Sequence, residues 1–166
     1  MKYLKLILLF NLLLSFSANA LLEVNILKSK EAAFPIVIAP FELISDSKEN
    51  IDIAKIIRDN LNRSGQFSAL STDALVTNQI DFNFWKERKK DAVVFGKVEQ
   101  VSPKVYNIYI YIYDVFSEKS LYQKKITVSN TGFRRMAHFL SDKIYYVLLG
   151  QKGSFNTRLS YVTVTE

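Results

Sequence analysis

From Val105 to Tyr113 the chain alternates without interruption: Tyr106, Ile108, Ile110 and Ile112 fall on one side, and Asn107, Tyr109, Tyr111 and Tyr113 on the other. A period of two sustained over that length specifies an extended strand with one apolar face. That face needs a cover. The segment from Phe133 to Leu149 supplies one, because Phe133, Met136, Ala137, Leu140, Ile144, Val147 and Leu148 form a single stripe at 3.6 residues per turn. At 1.5 Å per residue this helix is about 25 Å long, and Gly150 is its natural left-handed stop. A sheet with a long helix lying on its aliphatic face is therefore the frame into which everything else must fit.

The remaining punctuation extends that frame. Pro35 and Pro40 enclose Ile36, Val37, Ile38 and Ala39, an apolar run too short for a helix and therefore a buried strand. The polar stretch from Ser45 to Asn50 leads into a helix over Ile51 to Ser64, with Ile53, Ala54, Ile57 and Leu61 on one face, Asn50 as its cap and Gly65 as its stop. Gln66 to Leu70 reads as a short strand, Phe82 to Lys90 as a short helix, and Ala92 to Val101 as a strand. Ser102, Pro103 and Lys104 form a turn, after which Leu121 to Val128 can pair back antiparallel. Leu22 to Leu27 and Leu159 to Thr165 are further extended candidates. The expectation is an α/β fold: a mixed sheet of about five strands with two main helices packed on one face.

The chain has 166 residues, 49% of them hydrophobic, and only 5 Gly and 3 Pro, which suits one packed core. Its amino terminus is separate in character. Lys2 and Lys5 precede the nearly unbroken aliphatic run from Leu6 to Leu14, and Ala18, Asn19 and Ala20 give a small-x-small pattern, so residues 1–20 read as a cleavable export signal. Residues 21–153 would then be the α/β domain and 154–166 a terminal strand segment. Losing two lysines and no acid lowers the net charge from +6 to +4. The dense basic cluster Lys86, Arg88, Lys89 and Lys90 is interrupted by Glu87 and suits a solvated helix end, so no nucleic-acid face is expected.

Little in the sequence can do chemistry. There is no cysteine, hence neither a thiolate nucleophile nor a cysteine-based metal site, and His138 is the only histidine. His138 stands four residues before Asp142, a spacing that allows an imidazole–carboxylate pair on one helix face. No Gly-x-Ser-x-Gly elbow or glycine-rich phosphate loop accompanies it. Neither a cofactor nor a metal is expected, and a small hydrolase using His138 is the minor alternative. Two features favour binding instead. The row Tyr109, Tyr111 and Tyr113 serves either as cross-strand aromatic pairing or as a surface facing another protein. The segment Glu23 to Leu27 is either an edge strand of its own domain or an extended piece that adds to a partner's sheet.

Several stretches in order carry a family resemblance: Pro35 to Phe41, the Leu-x-x-Ser-Gly-x-Phe pattern within Asp59 to Phe67, Asp91 to Val98, Arg-x-x-Ala-His-x-x-Ser-Asp from Arg134 to Asp142, and Gly150 to Tyr161. Together they resemble the amino-terminal domain of the TolB family, the periplasmic component of the Tol-Pal system. The resemblance implies a periplasmic adaptor in outer-membrane integrity and constriction at division, not an enzyme. It further implies that Glu23, Val24, Asn25, Ile26 and Leu27 contact the inner-membrane protein TolA, although Lys28, Ser29 and Lys30 replace the acidic, glycine-containing continuation usual in the family. Family members also carry a carboxy-terminal β-propeller that binds the lipoprotein Pal. No repeat of the roughly 40-residue blade type occurs in these 166 residues, so a Pal-like partner is expected only if a propeller is present elsewhere, and the Leu159 to Thr165 strand suggests a fragment. A periplasmic regulator of cell-wall synthesis with a similar domain is the other adaptor-type expectation.

Overall fold

The computed structural model describes residues 33–44, 52–73, 76 and 79–157; the expectations for the export signal, for Leu22 to Leu27 and for Leu159 to Thr165 lie outside them. Strands β1 (Phe34–Ile38), β2 (Glu42–Leu43), β3 (Phe67–Leu70), β4 (Ala92–Ser102), β5 (Val105–Asp114) and β6 (Ser120–Ser129) form one sheet. The main path runs β3-β1-β4-β5-β6, and β2 pairs with β4 off that path. β1 is parallel to both β3 and β4, while β4-β5-β6 is an antiparallel meander. The sheet is thus mixed, as expected. It gains a strand through β2, where Glu42 and Leu43 lie parallel to Lys97 and Val98 and Lys97 pairs with Glu42 at 3.2 Å.

Helices α1 (Ile53–Arg63) and α3 (Phe133–Leu149) cover the face predicted for them. Ile53, Ala54, Ile57 and Leu61 of α1 and Phe133, Ala137, Leu140 and Ile144 of α3 share one buried cluster with Ile36, Ile38, Val94 and the three isoleucines of β5. Tyr106 joins it, its ring 4.9 Å from that of Phe133. The start of α1 differs from the sequence expectation. Asp52, not Asn50, is the cap: its carboxylate accepts the Lys55 amide hydrogen bond at 2.8 Å, so the helix opens at Ile53. The other end of the helical layer conforms. Gly150 adopts φ +69°, a conformation costly for any residue with a Cβ, and its amide closes α3 on the Tyr146 carbonyl.

A second, smaller cluster lies on the opposite face. Val37, Ala39, Val93, Phe95 and Val115 are buried there beneath Trp85 of the short helix α2 (Phe82–Glu87). Alternation explains the division: β1 and β4 are apolar on both faces, so their odd-numbered residues need a cover of their own. The two main helices take one face, and α2, capped by the Asp81 side chain on the Phe84 amide, covers part of the other. On β4, facing the main cluster, sits Gly96, whose missing side chain leaves room for the Phe41 ring.

Candidate functional site

The polar residues of α1 and α3 meet in one place. Asn60 of α1 falls within the apolar stripe and is 3% exposed. Its amide nitrogen lies 2.9 Å from Ser141 Oγ and 2.9 Å from His138 Nδ1. The direction of these bonds follows from Ser141, whose single hydroxyl hydrogen is donated to the Ala137 carbonyl at 2.8 Å. Ser141 can only accept from Asn60, so the Asn60 nitrogen faces both partners and His138 Nδ1 accepts as well. The imidazole proton is therefore on Nε2. His138 is fixed by a bond between elements, and among the described residues no carboxylate is bonded to it.

Asp142 is engaged elsewhere. Its two carboxylate oxygens accept the backbone amides of Phe155 at 2.8 Å and Asn156 at 3.1 Å, which draws the turn after α3 back against the helix. The Phe155 ring completes an edge-on series with Tyr145 and Phe67, centroids 5.8 and 5.6 Å apart. The imidazole–carboxylate pair allowed by the four-residue spacing is thus not assembled, because each member is engaged by another partner. Between α1, α3 and this turn runs an open groove of about 460 Å³, onto which Arg63, His138, Tyr145 and Lys152 open. The sequence reading missed this groove. Asn60, an amide inside an apolar stripe, was the signal that marked it.

The tyrosine row divides in two. Tyr111 stacks on Phe95 at 4.9 Å with the planes 16° apart, and Tyr113 lies 6.0 Å from Phe95 and 6.1 Å from Phe82, so both rings wall the second core. Tyr109 belongs to a polar cross-strand group. Its hydroxyl donates to Glu99 Oε2 at 2.9 Å, Asn107 Nδ2 donates to the same oxygen at 3.2 Å, and Thr127 donates to Asn107 Oδ1 at 2.9 Å. Hydrogen bonds from Asn107 first and Tyr109 second hold the Glu99 carboxyl below its ordinary value. A depressed folded value means that the group stabilises the fold above the unfolded carboxyl value of about 4.3 and loses that contribution as pH falls through the folded one. A carbon-detected titration of Glu99 should therefore give a midpoint that rises in Asn107→Ala and rises less in Tyr109→Phe. A midpoint unmoved by Asn107→Ala would show that the amide does not charge-stabilise Glu99.

Lys86 of the basic cluster pairs with Glu118, and Arg88 lies over the Phe84 ring, 3.4 Å from its centroid. Among the described residues no group of three or more His, Cys, Asp or Glu is arranged to hold a metal. Glu23, Val24, Asn25, Ile26 and Leu27 lie outside the described residues.

Comparison with known proteins agrees with this architecture. The model of the TolB amino-terminal domain matches residues 22–121. The Tol-Pal system protein TolB of Ruthia magnifica subsp. Calyptogena magnifica is 53% identical over 148 residues, covering 89% of this chain and 35% of that protein. TolB of Thioalkalivibrio sulfidiphilus is 34% identical over 170 residues, covering 99% of this chain and 39% of the relative. The chain thus spans little more than a third of the length of these relatives. The crystal structure of TolB from Acinetobacter baumannii superposes with a TM-score of 0.61 at 27% identity, over 74% of this chain and 30% of that one. The PelC dodecamer from Paraburkholderia phytofirmans shares the fold alone, with a TM-score of 0.52 at 14% identity over 70% of this chain and 87% of that one. A mixed sheet with two main helices on one face and a family match running from Leu22 through β4 and β5 into β6 lead to one assignment: this chain belongs to the TolB amino-terminal domain family.

Proposed function

We propose that the chain is a non-catalytic adaptor domain of the Tol-Pal system that acts in the periplasm after removal of residues 1–20, with Glu23 to Leu27 as its contact for a TolA-like inner-membrane protein. The observation that carries this reading is the span of the family match, which begins at Leu22 and so includes the contact segment. An extended segment near a chain end gains affinity by adding its backbone hydrogen bonds to a partner's sheet edge, while alternate side chains supply selectivity. The α/β body is then a rigid support. Two further observations are consistent with it. His138 and Asp142 are each committed to structural hydrogen bonds, and among the described residues no helix is long and apolar enough to cross a membrane.

The test is deletion of residues 21–27 from the processed chain, with binding to the soluble domain of a TolA-like protein measured by calorimetry. Binding should fall at least a hundredfold while the thermal unfolding midpoint stays within about 2 °C. Retained binding would overturn the assignment of the contact.

A further inference from the structure

We propose that the groove between α1, α3 and the turn at 150–157 is a second docking site, which takes the side-chain carboxylates of an acidic peptide from a protein partner. The charged side chains that line it, Arg63 and Lys152, are both cationic. Arg63 and Lys152 are both exposed, and neither lies within ion-pair distance of a carboxylate among the described residues. His138 adds an Nε2 hydrogen, because Asn60 occupies its other nitrogen. No aspartate or glutamate lines the groove. The nearby Asp142 carboxylate is turned to the Phe155 and Asn156 amides instead. Two cations and an imidazole N–H facing one concavity favour an anion, and the planar fork of Arg63 is matched to a carboxylate in particular.

The shape selects a peptide over a small ion. About 460 Å³ is far more than one inorganic phosphate fills. Tyr145 and Phe155, their rings 5.8 Å apart at 66°, give one wall an apolar character that suits the methylene stems of glutamate side chains. The groove is also held ready: buried Asn60 bonds Ser141 and His138 across the two helices, and Asp142 fixes the turn that forms its rim. Little ordering is needed on binding, which favours affinity. This site goes beyond the amino-terminal contact and does not depend on it.

The probe is a fluorescein-labelled peptide of five glutamates flanked by glycines, with its glutamine counterpart as control, titrated with the full processed chain at low salt by fluorescence polarisation. The glutamate peptide should bind at least tenfold more tightly than the glutamine peptide, and Arg63→Gln with Lys152→Gln should abolish that preference. Lys86→Gln with Lys89→Gln removes the same charge elsewhere and should change affinity less than twofold, as should deletion of residues 21–27. Equal loss in both double variants would mean general charge attraction and would overturn the site. So would saturation of the His138 ring resonances by inorganic phosphate that the peptide cannot displace, since the groove would then take a small anion.

Discussion

Phe95→Ala is expected to destabilise the domain by about 4 kcal/mol, within the range for removing a buried aromatic side chain. Phe95 is fully buried at the centre of the second core, where Tyr111 and Tyr113 lie nearly parallel to its ring and Trp85 closes the cluster. Truncation removes both the apolar burial and the stacking, and a rigid strand on either side leaves the site little scope to collapse. The midpoint of thermal unfolding should fall by roughly 12 °C. Trp85 is the chain's one tryptophan, so its fluorescence reports this face of the sheet, while circular dichroism reports the whole. Both signals should move to lower urea concentration. A loss below about 1 kcal/mol would mean that the second cluster is not a core at all.

Gly96→Ala should cost about 3 kcal/mol, the upper end of the usual overpacking penalty. Its neighbour in sequence faces one way and Gly96 the other, toward the main cluster. A Cβ there would overlap the Phe41 ring and come within 2.5 Å of the Tyr109 carbonyl oxygen on β5. The ring can turn, but the carbonyl belongs to the β4-β5 ladder and cannot yield without shifting the strand pair. The double variant Gly96→Ala with Phe41→Ala separates the two causes. Relieving the ring contact alone should recover only part of the loss, whereas full recovery would show that the ring and not the backbone sets the penalty. A single variant as stable as the parent would refute the close approach.

The elements visible in the sequence are those whose cause is local. The alternation from Val105 to Tyr113 and the stripe from Phe133 to Leu149 each contain their full signal, and β5 and α3 fall where that signal lies. Elements with distant causes were hidden. β2 is two residues long and exists because Glu42 and Leu43 meet β4 more than fifty residues later. The cap of α1 moved from Asn50 to Asp52, a choice between neighbouring cap-forming residues that spacing alone does not make. The site shows the same division. Four-residue spacing put His138 and Asp142 on adjoining helix turns, but Asn60, 78 residues away in sequence, takes the histidine, and amides 13 and 14 residues downstream take the aspartate. Local periodicity records which face is buried; it does not record which polar group wins a given partner.

The grip of Asp142 on Phe155 and Asn156 has a mechanical meaning. Any tension arriving through the chain after Thr157 reaches those two amides and the Tyr145 ring before it reaches Gly150. The load then passes through the Asp142 side chain into α3, which is packed on the sheet through Phe133, Ala137, Leu140 and Ile144. A pull from that side meets the side chains of a packed helix before it meets the bare backbone of the bend at Gly150.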